Sequence, residues 1–351
     1  MIYLDNAATT RPSFFAWDWS SYWMNSNTPY ARGSKAMLDE ARERIKKCLG
    51  VKSGKVLFCR SATEAVEWLT SRRHLNGRYT SRFEHDSVIW MPTDVNMIGE
   101  HDTIDLYLHQ HTNQVTGEIF NIKAIEERLH KYDKGYAFFG SDFTATIGHS
   151  PIPKNLDTFC DAIWFSGHKF HVEKGIGAIW LSDRLFEYLG GSEDSRNEYG
   201  LIHGTVNVPA AIALSYGMLD VIQDYNQYGQ DHFTALASQL YYSLQQNDIE
   251  YQCVNATRGN CQTDAIHAII LPNINADALQ TYLASKQIYI GVGHSACADG
   301  ADYHVLQAYG LSDEECNSTI RVSFSMSNTR ADIIEFVQGV KKFKEKYYGN
   351  C

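Results

Sequence analysis

The sequence predicts an α/β protein with a large domain on a mainly parallel sheet and a smaller α+β domain. Three observations carry that reading. Apolar, strand-like runs alternate with segments of helical periodicity through the first two thirds of the chain, the pattern of a layered sheet with crossover helices. Polar residues recur just after the apolar runs, where open α/β sheets collect ligand-binding groups. From about Asn226 the pattern changes to a long helix, short strands and a closing helix. The boundaries that follow are 14–225 for the large domain, with 1–13 and 226–351 forming the small one. A chain of 351 residues, 44% hydrophobic and 13% aromatic, is long enough to give both a substantial core.

Each element has its own signal. Ser34 to Leu49 carries apolar residues at helical spacing with Glu and Lys between them, and Lys55-Val56-Leu57-Phe58-Cys59 follows as a short buried strand. Ser61-Ala62-Thr63-Glu64 reads as an N-cap opening the helical segment Ala65 to Leu69, and a helix start of this kind attracts anions. Ile104 to Leu108 and Tyr136 to Phe139 read as further strands, with Asn113 after the first and Ser141 and Asp142 after the second. The C-terminal third contributes a helix from His232 to Gln245, a strand at Ala268 to Leu271 and a helix from Ile333 to Tyr347. No internal repeat or low-complexity segment interrupts this order.

Composition narrows the function. A net charge of −10, with basic residues dispersed, gives little support to a direct nucleic-acid groove. No apolar run reaches membrane-spanning length and Ile2-Tyr3-Leu4-Asp5 follows Met1 without a leader, so a soluble, cytoplasmic protein is expected. The eight cysteines are scattered without a Cys-x-x-Cys pair or zinc-finger histidine spacing, which predicts free thiols and no metal site.

The most informative stretch is Ser166-Gly167-His168-Lys169, between Ala162-Ile163-Trp164-Phe165 and Gly175-Ile176-Gly177-Ala178-Ile179. A lysine in the polar turn ending a buried strand can form a Schiff base with a carbonyl cofactor, while Ser166 and His168 bind its phosphate. Taken alone, the turn reads equally well as a solvated lysine, and Asp142 as a helix cap. Together they read differently, because Asp142 precedes Lys169 by one strand-helix-strand interval and a carboxylate there can hold a protonated pyridine nitrogen.

These residues resemble those of the cysteine desulfurase family, in the class V aminotransferase group of fold type I pyridoxal 5′-phosphate (PLP) enzymes, over nearly the whole chain. Ile2 to Thr10 is similar to the family's opening, Ala62-Thr63-Glu64 to its first phosphate-binding turn, and Glu84-His85 to the segment whose histidine stacks on the cofactor ring. Asn113 matches the asparagine near the ring oxygen, Ser166 to Lys169 the Schiff-base segment, and Gly204-Thr205 a turn that reaches the partner subunit's phosphate. His294-Ser295-Ala296-Cys297 resembles the segment with the sulfur-accepting cysteine, and Ile320-Arg321-Val322-Ser323 the strand whose arginine grips the substrate carboxylate. The neighbours of Cys297, Ala298-Asp299-Gly300-Ala301, suit a mobile loop; Asp299 and Asp302 raise its thiol pKa unless His294 offsets them. The chain also departs from the pattern. Ala145 stands where the family has a glutamine that hydrogen-bonds the phenolic oxygen, Arg60-Ser61 replace a small Ser-Gly pair, and Met326 to Thr329 is similar to a different branch.

The resemblance implies a homodimeric enzyme that converts L-cysteine to L-alanine and carries sulfur as a persulfide on Cys297. Lys169 would hold PLP and remove the α-proton, and Asp142 and His85 would act on the ring. Thr63, Ser166, His168 and the partner's copy of Thr205 would anchor the phosphate, with Asn113 and Arg321 binding substrate. Alternatives remain open: a related class V enzyme acting on selenocysteine, cysteine sulfinate or an amino group, or a weakly active scaffold that recruits partners. Relatives deliver sulfur to iron-sulfur scaffolds, tRNA-thiolation or DNA-phosphorothioation machinery, and the sequence does not choose among these acceptors.

Overall fold

The computed structural model describes residues 1–13, 22, 24–27, 31–72, 75, 78–89, 106–132, 138–195, 197–254, 260–294 and 303–349. The expected strand starts at 104–105 and 136–137, and the expected sulfur-carrying loop including Cys297, Asp299 and Asp302, lie outside these residues. The chain forms two compact units. One takes in Arg11–His111 and Asn121–Gln223; the other takes in Met1–Thr10, Thr112–Phe120 and Asp224–Cys351.

The first unit is organised on a six-stranded sheet. Its strands run in the order Lys55–Cys59, Gly177–Leu181, Ala162–Ser166, Phe138–Asp142, Leu106–Gln110 and Arg78–Thr80. Gly177–Leu181 is antiparallel to both of its neighbours and the remaining pairs are parallel, so five of the six strands point the same way. Four of the six strands are buried along their whole length, Gly177–Leu181 among them. The strand expected to stop at Phe139 continues through Ser141 and Asp142, because their backbones pair with His109 and Gln110 on one side and Ile163 and Trp164 on the other. Leu57, Trp164, Ile179 and Leu181 pack there with Ala65, Val66 and Leu69 of the helix Ala62–Thr70. The preceding helix, Arg32–Leu49, buries Leu38, Ala41, Ile45 and Leu49 and stops at Gly50, whose φ of 69° is the left-handed conformation glycine adopts cheaply.

The second unit has a five-stranded sheet in the order Ile2–Leu4, Ile288–Val292, Thr319–Ser323, Ile266–Ile270 and Gln252–Cys253. Ile2–Leu4 runs parallel to Ile288–Ile290 and the other pairs are antiparallel. The helices Gln230–Gln246, Ala276–Ala284 and Arg330–Tyr347 accompany this sheet. The last of them begins at a capping box in which Thr329 and Asp332 satisfy each other's backbone amides. Thr112–Phe120 belongs here rather than with its sequence neighbours, although the boundaries read from sequence put it in the large domain. Glu118-Ile119 pairs with Cys261-Gln262, and Tyr309 hydrogen-bonds both Glu118 and Thr116. No described helix is long and apolar enough to cross a membrane.

Candidate active site

Because Lys55–Cys59, Leu106–Gln110, Phe138–Asp142 and Ala162–Ser166 are parallel, their carboxyl ends share one edge of the first unit's sheet, and the chemistry-bearing residues follow those ends. After Cys59 the chain turns into the helix Ala62–Thr70. Ser61 caps it, its Oγ accepting the Glu64 amide at 3.0 Å. First-turn amides have no intrahelical acceptor, so those of Ala62 and Thr63, ahead of the capped one, are left for an anion. Gly177 makes this turn possible. A Cβ there would lie 2.7 Å from the Phe165 carbonyl oxygen and 3.0 Å from the Ser61 carbonyl carbon, so only glycine lets the turn lie against the end of the neighbouring strands. Arg60 does not serve as a phosphate ligand in this arrangement. Its guanidinium pairs with Glu64 at 2.8 Å, one helical turn on.

Asp142 closes its strand buried, with Oδ1 accepting the Thr144 amide at 2.7 Å. Glu84 is fully buried and takes the Gln110 amide at 2.8 Å. Burial pushes its carboxyl well above the usual range; the Gln110 amide opposes that, and the charge of Asp142 adds to it. His111 stacks on Phe143 and meets the Thr146 hydroxyl at 3.0 Å, and burial holds its imidazole down at about 3. Ala145 is buried beside Thr144, whose Oγ1 has no hydrogen-bond partner among the described residues.

Ser166 ends its strand paired with Gly177, and Gly167-His168-Lys169 forms a single 3-10 turn immediately after it. Gly167 packs closely there: a Cβ would come within 2.8 Å of the Leu214 side chain and 3.0 Å of Val172 Cβ. Burial, then the charges of Lys169, Lys174 and His85, push the His168 imidazole down to about 4. The same causes place His85 within electrostatic reach of the lysine turn. His85 Nδ1 accepts the Ser87 amide at 3.1 Å, so a neutral His85 carries its proton on Nε2. His149 is also depressed, to about 4, by burial, His171 and Lys169.

Thr63, His85, Asp142, Ser166, His168 and Lys169 all belong to the first unit, and four of them stand at strand ends or in the turns that follow directly. Thr205 is exposed in a loop after Gly204 (φ 112°). Asn113 and Arg321 belong to the second unit, where they are close to each other. Asn113 Oδ1 accepts the amides of Val115 and Thr116 at 2.8 and 2.9 Å, so any contact to a ring falls to its Nδ2. Arg321 reaches the carbonyl of Gln114 at 3.3 Å and Asp5 Oδ1 at 2.7 Å. Glu84, Gly177 and Asp5 are not singled out as site residues by the sequence; Gly177 takes its place by pairing with Ser166, Asp5 by bridging to Ser323, and Glu84 by accepting the Gln110 amide. Among the described cysteines, burial pushes the thiols of Cys48 and Cys316 up to about 11 and raises those of Cys59 and Cys160, which disfavours the thiolate.

A lysine beside a neutral histidine, a buried carboxylate at the next strand end and a helix start whose first amides have no acceptor among the described residues fit a phosphate-bearing pyridine aldehyde. Residues 97–336 match the Aminotransferase class-V family, and the chain belongs to it. Its curated relatives include proteins named cysteine desulfurases. The chain is 24% identical to the cysteine desulfurase IscS of Dictyoglomus turgidum, over 90% of this chain and 86% of that protein. It is 27% identical to the cysteine desulfurase IscS of Buchnera aphidicola subsp. Schizaphis graminum, over 97% and 92%. A solved NifS-like protein from Rickettsia africae superposes with a TM-score of 0.82 at 22% identity, covering 99% of both chains, and shares the fold.

Proposed function

We propose that this protein is a PLP-dependent cysteine desulfurase that works as a soluble homodimer and passes sulfur from L-cysteine to Cys297. The observation that carries this is the lysine turn: His168 and Lys169 follow directly on the buried strand Ala162–Ser166, which lies beside the one that ends in Asp142. PLP, when bound, supplies an electron sink for the substrate carbanion. Lys169 would hold the cofactor and, once its amine is free, would serve as the base for the α-proton. His168, neutral at pH 7, offers a hydrogen bond to phosphate without competing for the charge, alongside Ser166, Thr63 and the amides of Ala62 and Thr63. Thr205, exposed in its loop, would serve the phosphate of the partner subunit. Asp142 would accept a hydrogen bond from the protonated pyridine nitrogen. His85, with its proton on Nε2, donates from that atom while Ser87 fixes the other face of its ring.

Arg321 takes the substrate carboxylate, with Asn113 beside it. The Cys297 thiolate attacks the substrate sulfur. The Cβ–S bond breaks, an S–S bond forms, the substrate carbon is reduced and takes a proton to give alanine, and Cys297 is left as a persulfide for an acceptor protein. Incubation with L-cysteine, quantification of alanine and peptide mass spectrometry test this reading. Alanine and a persulfide on Cys297, both lost in Lys169→Ala and the persulfide lost in Cys297→Ala, are expected. Absence of both products in the wild-type holoenzyme refutes it.

A further inference from the structure

Arg321 lies in the middle of a central strand, 6% exposed, and its environment is unusual for an arginine. Two of its donors are engaged: Nη2 with Asp5 Oδ1 at 2.7 Å and Nη1 with the Gln114 carbonyl at 3.3 Å. Nε is buried with no hydrogen-bond partner among the described residues. Each terminal nitrogen thus spends one of its two hydrogens on the protein, and the second hydrogen of each remains for a planar anion. Space for the pair comes from Gly291, where a Cβ would lie 2.7 Å from Asp5 Oδ1 and 2.9 Å from Arg321 Nε and Nη2.

Asp5 is itself held firmly. It bridges to Ser323, the Ala7 amide donates to Ser323 Oγ at 2.8 Å, and Asn6 Nδ2 donates to the Ser323 carbonyl at 3.0 Å. An arginine side chain has costly rotamer freedom to lose, and a fixed carboxylate on one edge removes that freedom before a ligand arrives.

We infer that Asp5 is a positioning residue for the substrate carboxylate: it orients the Arg321 guanidinium and, with Gly291 leaving room for both, sets the affinity for the amino-acid substrate. This rests on the assignment of Arg321 to the carboxylate under the proposed function. The role is one of geometry, so it belongs to the hydrogen-bond acceptor rather than to the charge.

The test is steady-state kinetics of alanine formation by holoenzyme variants, with melting temperatures measured alongside. Asp5→Ala, which removes the acceptor, raises KM for L-cysteine about tenfold and leaves kcat within threefold, since the interaction lost is one of uniform binding. Asp5→Asn keeps an acceptor at Oδ1 and brings KM back to within threefold of wild type. Gly291→Ala disturbs the same pair from the opposite side and raises KM as Asp5→Ala does. A KM unchanged in Asp5→Ala and Gly291→Ala overturns the inference, as do equal effects on KM and kcat or an Asp5→Asn as impaired as Asp5→Ala. Arg321→Lys separates the two levels. If it leaves KM unchanged, the carboxylate assignment falls and this inference with it. If it raises KM while Asp5→Ala does not, only the role of Asp5 falls.

Discussion

Acid should destabilise this protein through histidines that fold away their ability to bind a proton, and His111 allows the effect to be isolated. Its ring lies between Phe143 and the Thr146 hydroxyl, and burial lowers its pKa to about 3 from an ordinary 6.5. The unfolded chain takes up a proton on this residue below about pH 6.5 while the native state does not, so its stabilising contribution is complete above that pH and lost as pH falls toward about 3. Integrating the proton difference between pH 6 and pH 5 gives a loss of about 1.2 kcal/mol from this one residue. His149, equally buried and lowered to about 4, adds a similar amount over the same interval. Urea unfolding at pH 7, 6 and 5, compared between wild type and His111→Gln, is the assay. The variant is less stable at pH 7, because it loses the ring packing and the contact to Thr146. Between pH 6 and 5, however, its stability falls less steeply than that of wild type, by about 1.2 kcal/mol. Parallel pH dependences in the two proteins would refute the reasoning, since they would mean that His111 is protonated in the folded state.

Three further outcomes follow from the packing of the first unit. Gly177→Ala forces its methyl between the Phe165 carbonyl and Ser61, costing about 1–3 kcal/mol of stability and displacing the helix start; PLP affinity in equilibrium dialysis should fall at least tenfold. Ser61→Ala removes the cap on Glu64 and should lower stability by about 1 kcal/mol in thermal unfolding. Arg42→Met strands the buried Glu198 carboxylate, which Arg42 Nη2 meets at 2.6 Å, and should cost about 3–5 kcal/mol in chemical denaturation; replacing Glu198 as well should recover part of that loss.

The sequence displays those parts of the molecule whose causes are local. Helical spacing and caps made Arg32–Leu49 and Ala62–Thr70 readable to within a few residues, and the apolar runs at Lys55–Cys59 and Ala162–Ser166 announced buried strands. The strand ending at Asp142 was harder. Its last two residues are polar and read as a turn, yet they sit in the middle of the ladder with neighbours on both sides, and pairing of that kind leaves no trace in a window of ten residues. The same limit explains the division of the chain. Thr112–Phe120 leaves its sequence neighbours because of contacts made with Cys261, Gln262 and Tyr309, more than a hundred residues away.

The groups that do the proposed chemistry and those that hold them in place differ in how visible they are. Lys169, Asp142 and His85 are reactive or charged types beside turns, so residue identity alone draws attention to them. Their supports are ordinary residues made important by position. Gly177 matters because Ser61 lies against it, and Ser87 matters because its amide fixes the tautomer of His85. Asp5 matters because a strand 316 residues away brings Arg321 to its side. Ala145 makes the converse point. Where the resemblance has a glutamine it is a buried methyl and supplies no side-chain donor. A substitution that looks disabling in an aligned motif is therefore to be judged against the polar groups around it. Here those groups include a buried Thr144 hydroxyl one residue away that has no hydrogen-bond partner among the described residues.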